Sequence, residues 1–165
     1  MCGIIGYFDK QAKNYASLGK TVLQMLQALS CRGPDSAGVA IFSKPKSNPL
    51  AQIKIAESGN PLEGFDRIVQ ALSKLKLKFE AKQNGAYAQV YLDAAPNCLD
   101  RFETELLALE PGCEIVSFGK HLQIVKQVGS PNQLEQTYSV ATMPGSHAIG
   151  HTRLSTESKI GRAHV

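Results

Sequence analysis

The sequence predicts an α+β fold that carries an α/β insertion lobe, and two observations predict it. Residues 1–42 follow the order strand, helix, polar turn and strand, which places both strands in one sheet with the turn at its end. Residues 50–140 alternate strand patterns with amphipathic helix patterns and so form a lobe of their own. With 165 residues and 43% apolar content, the chain is long enough to bury a core.

The N-terminal elements follow from apolar spacing and from chain breakers. An apolar run predicts a buried strand over residues 4–8, and helical spacing predicts an amphipathic helix from about Ala16 to Leu29. Gly33-Pro34 cannot continue a helix, so residues 30–38 form a polar turn. The apolar run at residues 39–42 then predicts the second strand.

The lobe begins after a loop that contains proline and lysine at residues 43–49. Within it, apolar patterns predict strands at 52–57, 86–92, 114–118 and 122–128, and helices at 65–75, 99–109 and 131–138. The lobe contains no glycine pattern of the kind that cradles phosphate. Its plain interpretation is a structural or interface insertion, and the alternative is a lobe that binds a small regulatory ligand.

Composition argues against several classes of function. The net charge of +4 is spread along the chain, and the densest basic stretch, residues 74–78, contains no aromatic residue, so no nucleic-acid partner is expected. The cysteines lack paired spacing, which argues against a zinc site and a disulfide framework (Cys2, Cys31, Cys98 and Cys113). The sequence shows no signal peptide and no apolar run of membrane length, so we expect a cytoplasmic protein without membrane contact.

The strongest chemical signal is Cys2, which directly follows the initiator methionine. Removal of Met1 would give one residue that carries both a thiol and a free α-amine. The amine has an unperturbed pKa of about 7.7–8.0 and the thiol one of about 8.5, so near neutral pH the amine can act as the base for the thiol. Taken alone, Cys2 is also consistent with a packing residue on a short apolar strand.

Three motifs occur in order along the chain: Cys2-Gly3-Ile4-Ile5-Gly6, the run Arg-Gly-Pro-Asp-Ser-Ala-Gly at residues 32–38, and Gly150-His151-Thr152-Arg153. Together they resemble class II glutamine amidotransferases, the N-terminal-nucleophile glutaminases. The resemblance implies an N-terminal-nucleophile hydrolase-type αββα sandwich, incomplete in this chain. Its core would comprise residues 1–43 and 145–159, and the insertion lobe residues of about 50–140.

The resemblance also implies a mechanism and the residues that perform it. The thiolate of Cys2 would attack the carboxamide of glutamine, ammonia would leave, and water would hydrolyse the thioester to glutamate. Arg153 would hold the substrate α-carboxylate, a task suited to a planar bidentate donor. Thr152 and Thr156 are weaker candidates for substrate contacts. Residues of the second motif would pack beside the nucleophile and support its geometry (Arg32, Gly33, Asp35 and Ser36).

The chain departs from the pattern of the family in two places, and these differences indicate which members it resembles most. Many family members continue after the arginine with Trp-Ala-Thr-His, whereas this chain has Leu154-Ser155-Thr156-Glu157. The insertion is also much longer than in glucosamine-6-phosphate synthase or amidophosphoribosyltransferase. The chain looks most similar to the separate amidotransferase subunit of glutamate-synthase-like enzymes, a group that includes N-methylglutamate synthase.

The end of the sequence carries its own expectations. The family needs an Asn-Gly pair for the oxyanion hole and an acidic residue for the substrate amine, both after the arginine motif, and neither follows Arg153 here. Asn84-Gly85 precedes that motif and is expected to be a turn. Residues 160–165 match a translated sequencing-adapter string, so we expect a non-native tail after about Lys159. The chain as written is therefore expected to be inactive, and its parent protein to be an enzyme.

The sequence leaves the acceptor of the ammonia open. The first hypothesis is a glutaminase that passes ammonia to a synthase partner, with any flavin or iron–sulfur cluster in that partner and no cofactor or metal in this chain. The glutaminase could instead serve amino-sugar, purine or asparagine synthesis. Two other hypotheses are a non-catalytic regulatory or scaffold subunit of the same fold, and an N-terminal-cysteine amidohydrolase that acts on another amide.

Overall fold

The computed structural model describes residues 2–11, 13–55, 61–93 and 99–154. These residues form eight strands and four α-helices, which confirms the α+β class. In chain order the elements are β1 (Gly3–Phe8), α1 (Leu18–Ala28), β2 (Ser36–Phe42), β3 (Leu50–Lys54), α2 (Pro61–Lys74), β4 (Lys78–Asn84), β5 (Tyr87–Asp93), α3 (Leu99–Leu109), β6 (Glu114–Gly119), β7 (Leu122–Val128), α4 (Pro131–Tyr138) and β8 (His147–Arg153). The chain divides into two compact units, one up to Ser43 and from Val125 onward, the other from Lys44 to Ile124.

In the first unit, β8 is a central strand of a four-stranded sheet with the order β1-β8-β2-β7. It is antiparallel to both β1 and β2. The N-terminal and C-terminal parts of the described chain are therefore neighbours, although most of the chain separates them. This pairing is what brings the first and third sequence motifs together.

Helix α1 covers one face of this sheet. Its residues Leu18, Val22 and Leu26 are fully buried at helical spacing, which drives the helix onto the strands. The helix begins at Leu18 rather than near Ala16, because residues 15–17 form a tighter 3₁₀ turn. Gly19 permits a close approach to the 3₁₀ turn Val140–Thr142, and its N–H donates to the carbonyl oxygen of Met143 at 3.1 Å.

The other face of the same sheet exposes large apolar side chains. Ile4 is 78% exposed, Phe8 62% and Ile149 55%. Strand residues alternate between the two faces, so these three lie opposite the buried Ala148 and Thr152. One face of the sheet is therefore covered by helix, and the other carries exposed apolar residues.

The second unit contains an antiparallel sheet with the order β4-β5-β3-β6. Helices α2 and α3 pack on one face through Ile68, Leu72, Phe102 and Leu106. Strand β4 received no assignment from the sequence, because only two of its seven residues, Phe79 and Ala81, are apolar.

The lobe boundaries differ from the sequence expectation of about 50–140. The second unit ends at Ile124, and α4 belongs to the first unit, where Nε2 of Gln27 donates to Oδ1 of Asn132 at 2.8 Å. Helix α4 starts with Pro131, as its sequence predicts, and the structure adds a capping box between Ser130 and Gln133. The division into a core and an insertion remains a prediction.

Candidate active site

Cys2 and Arg153 lie at the same end of two neighbouring antiparallel strands. Gly3 of β1 pairs with Thr152 of β8, Cys2 comes one residue before Gly3, and Arg153 comes one residue after Thr152. The period-two alternation of strands assigns both to the face opposite Thr152. Cys2 is an exposed free thiol and Arg153 is an exposed cation. The two residues that the sequence singles out for chemistry thus share one end and one face of the sheet.

The loop of the second motif runs along Arg153. Pro34 forms a bridge with Arg153, the N–H of Asp35 donates to the carbonyl oxygen of Arg153 at 3.0 Å, and Ser36 is the cross-strand partner of Arg153. Gly33 packs so closely that an added Cβ would lie 2.7 Å from the main-chain nitrogen of Arg153. The loop therefore fixes the main chain that carries the arginine.

Thr152 is buried beneath this end of the sheet. Its side chain is fully buried, and its hydroxyl donates to the carbonyl oxygen of Leu29 at 3.3 Å. The same carbonyl oxygen accepts the N–H of Arg32 at 2.9 Å. An ideal Cβ on Gly3 would lie 3.0 Å from Oγ1 of Thr152, so the threonine also touches β1. The sequence offered Thr152 as a weaker candidate for a substrate contact, and that role stays a prediction. Strand alternation turns its hydroxyl inward, toward the end of α1.

The other predicted site residues have different placements. Arg32 is exposed at the end of the 3₁₀ turn Ser30–Arg32. The carbonyl oxygen of Asp35 accepts the N–H of Gly129 at 2.8 Å, which ties the loop to the residue after β7. Thr156 lies outside the described residues, as do residues 160–165 and the departures at 155–157.

His151 adds a titratable group to the exposed face of the sheet. Its Nε2 lies 2.9 Å from the position of an ideal Cβ on Gly38, its cross-strand partner, so the ring covers that glycine. Partial burial lowers the pKa of His151, and the positive charges of Lys126 and Arg153 lower this pKa further. Lys126 lies 25 positions before His151 in the chain, so the sequence alone gives no sign that the two charges act on each other.

Sequence reasoning missed one contributor to this end of the sheet, and it gave no role to the thiol that directly precedes the second motif. The carbonyl oxygen of Leu29 receives two hydrogen bonds, and main-chain acceptors leave no mark in a sequence. Cys31 is a second exposed thiol, and its Sγ lies 4.0 Å from the carbonyl oxygen of Ala28. Its position one residue before the second motif was the available signal.

Asn84-Gly85 is confirmed as a turn and belongs to the second unit. Asn84 ends β4, Tyr87 begins β5, and Gly85 has a φ of 59°, a conformation that glycine adopts without strain. Within the described residues, no group of three or more His, Cys, Asp or Glu side chains is arranged to hold a metal ion. None of the described helices combines the length and apolarity that crossing a membrane requires.

The chain is similar over almost its whole length to proteins from two organisms. No protein-family model matches it. The glutamine amidotransferase-like protein GlxB of Rhizobium meliloti (strain 1021) is 34% identical over 160 residues, which cover 97% of this chain and 52% of that protein. The chain is related to proteins named as glutamine amidotransferases.

A second relative agrees with the first. A protein of Methanothermobacter thermautotrophicus named "Putative glutamine amidotransferase" is 28% identical over 170 residues, which cover 100% of this chain and 55% of that protein. The chain thus spans about half the length of the curated relatives it matches. Both names support a glutamine amidotransferase family for this chain, in agreement with its three motifs.

Proposed function

We propose that this chain carries the nucleophile and the carboxylate clamp of a class II glutamine amidotransferase. The observation that carries the proposal is the placement of Cys2 and Arg153 at one end and on one face of adjacent strands. A thiol and a guanidinium in this arrangement can contact the two ends of one small substrate. Glutamine has a carboxamide at one end and an α-carboxylate at the other, which matches this pair.

In the proposed reaction, removal of Met1 frees the α-amine of Cys2. The amine takes the thiol proton, and the sulfur attacks the carboxamide carbon of glutamine. The same proton then passes to the leaving nitrogen, so that ammonia departs and a γ-glutamyl thioester remains. Water attacks the thioester, glutamate leaves, and the thiol is restored. The guanidinium of Arg153 holds the α-carboxylate throughout by two parallel hydrogen bonds.

Thr152 acts in this proposal as a positioning residue rather than as a substrate contact. Its hydroxyl links β8 to the end of α1, and its side chain lies against Gly3, next to the nucleophile. Arg153 follows it directly in the chain. One buried side chain therefore sets the spacing between the nucleophile and the clamp, and small displacements of such groups reduce rate strongly.

The exposed apolar face of the first sheet supports the proposed αββα sandwich. Helix α1 covers one face, and Ile4, Phe8 and Ile149 remain exposed on the other. An N-terminal-nucleophile hydrolase sandwich places a second sheet on such a face, which would bury these side chains. We propose that the whole protein supplies this layer, the oxyanion donors and the acidic group for the substrate amine.

We further propose that the released ammonia passes to a glutamate-synthase-like partner in the cytoplasm. Any flavin or iron–sulfur cluster would then belong to that partner. The two relatives support glutamine as the nitrogen donor, since both are named as amidotransferases.

The experiment measures the N-terminal mass of the full-length protein and its labelling by a glutamine-mimicking diazoketone. We expect a mass without Met1 and a single adduct on Cys2, which Cys2→Ala abolishes. Cys31→Ser is the matched control, because Cys31 is the other exposed thiol of the described first unit and should not react. Arg153→Gln should slow labelling by about tenfold or more, since one charge-assisted contact is worth about 1.5–3 kcal/mol.

Two results would contradict the proposal. Retention of Met1 in an active enzyme would remove the α-amine from the mechanism. An adduct on Cys31 that Cys2→Ala leaves intact would place the nucleophile elsewhere.

A further inference from the structure

A cavity of about 700 Å³ opens in the second unit. Its lining includes two lysines, two carboxylic acids and a tyrosine (Lys46, Lys78, Glu80, Asp93 and Tyr91). The loop that carries Lys46 joins the last strand of the N-terminal motif region to the lobe. The proposed glutaminase uses none of these residues, so the cavity needs a separate explanation.

The main chain of Lys46 is fixed by a hydrogen bond, and its ammonium group lies over an aromatic ring. Its main-chain N–H donates to the carbonyl oxygen of Lys120 at 2.9 Å, and its Nζ lies 5.7 Å from the ring centroid of Tyr91. The side chain is half-buried, and this burial lowers the pKa of the amine. Among the residues that the structure describes, no carboxylate pairs with it. A desolvated ammonium in a cavity is a preformed site for an anionic group.

The carboxylates of the cavity come from the adjacent hairpin. Lys78 of β4 pairs across the strands with Asp93 of β5, and Glu80 pairs with Tyr91. These positions alternate with the buried Val90 and Leu92, so they lie on the face of the sheet away from the helices. Glu80 therefore stands beside the same ring over which Lys46 sits. Positive and negative side chains therefore line the same cavity.

We propose that this cavity binds a free α-amino acid. Lys46 would pair with its carboxylate, Glu80 and Asp93 would accept hydrogen bonds from its ammonium group, and its side chain would lie on Tyr91. A phosphate or another polyanion fits less well, because the two carboxylates would repel it. The mixed charges match a zwitterion, and the volume suits a small ligand.

The experiment is isothermal titration calorimetry of the purified protein with each common L-amino acid. We expect at least one to bind with a Kd of about 1 mM or tighter. Lys46→Gln should weaken that binding by about tenfold or more, and Lys46→Arg should retain it because the charge and the ring contact remain. N-acetylation of the same amino acid, which removes its ammonium charge, should weaken binding to a similar extent.

Arg153→Gln separates this site from the proposed glutaminase site. Binding at the cavity should be unchanged in that variant, whereas binding of glutamine at the catalytic end should be weakened. The proposal is overturned if no amino acid binds, if Lys46→Gln binds as the parent protein does, or if Arg153→Gln removes the signal. If the N-acetyl derivative binds as tightly as the free amino acid, the ligand need not be a zwitterion, and that part of the proposal is overturned.

Discussion

Gly33 lies against the main chain of Arg153. A Cβ atom added to the glycine would come within 2.7 Å of both the nitrogen and the carbonyl carbon of Arg153, closer than real Cβ contacts allow. The approach is set by the bridge from Pro34 and by the hydrogen bond from Asp35, which hold the loop along the end of β8. The presence of a glycine in this motif thus has a steric cause.

Gly33→Ala should therefore lower stability and displace the loop. The added methyl meets main-chain atoms, which cannot rotate away, so we expect a loss of about 1–3 kcal/mol in the free energy of unfolding. Urea denaturation measures it. Gly6→Ala is the matched control, because no atom lies within 4 Å of its added Cβ. Equal stability of the two variants would contradict the close approach.

Thr152→Val should remove the hydrogen bond to Leu29 while keeping the shape of the side chain. The carbonyl oxygen of Leu29 keeps the N–H of Arg32 as a partner, so the expected loss of unfolding free energy is only about 0.5–1.5 kcal/mol. If Thr152 positions the nucleophile, kcat of the full-length enzyme should fall while KM for glutamine changes little. Thr152→Ser keeps the hydroxyl and should restore kcat. A selective rise of KM in Thr152→Val would instead indicate a substrate contact.

Gln52 should stabilise the second unit, although one of its polar atoms has no hydrogen-bond partner among the described residues. It is fully buried, and its Oε1 accepts both the hydroxyl of Ser117 at 2.9 Å and the N–H of Ile124 at 2.7 Å. Its Nε2 has no partner among the described residues. Gln52→Leu should lower the free energy of unfolding by about 1–3 kcal/mol, since two donors lose their acceptor.

Ser117→Ala provides the comparison for this network. It removes one donor and leaves Oε1 of Gln52 bonded to Ile124, so the expected loss is smaller, about 0.5–1.5 kcal/mol. The two substitutions should be less than additive in chemical denaturation, because they share one hydrogen bond. Full additivity would show that the two side chains do not interact.

His151 should make the protein less stable in mild acid. Its folded-state pKa lies below the unfolded value of about 6.5, so the unfolded chain takes up this proton first as pH falls. Its contribution to stability is thus present above that value and is lost as pH decreases toward the folded pKa. Urea midpoints between about pH 7.5 and 5.5 should show a steeper decline in the parent protein than in His151→Gln.

The charge of Lys126 should account for part of this shift. Lys126→Gln should raise the pKa of His151 in an NMR titration, because one nearby positive charge is removed. Lys20→Gln serves as control, since Lys20 is exposed on α1, which covers the opposite face of the sheet. If the pKa of His151 is unchanged in Lys126→Gln, the lowering of this pKa must come from burial and from the charge of Arg153 alone.

The sequence could predict the local elements of the first unit. The spacing of Leu18, Val22 and Leu26 specifies α1, and the apolar runs specify β1 and β2, because each pattern is complete within a few residues. It failed at β4, because two apolar residues among seven give too weak a pattern to predict a strand. It also placed α4 in the lobe, since a helix pattern does not state which unit the helix packs on.

The residues able to perform chemistry can be read from the sequence: a thiol at position 2, an arginine at position 153 and a glycine-containing loop between them. Their arrangement follows from strand pairing. The pairing of β8 with β1 and β2 brings Cys2 and Arg153 to one sheet end, and the register turns Thr152 inward. A shift of one residue would exchange the two faces, and no local pattern fixes that register, because it is set by packing between residues far apart in the chain.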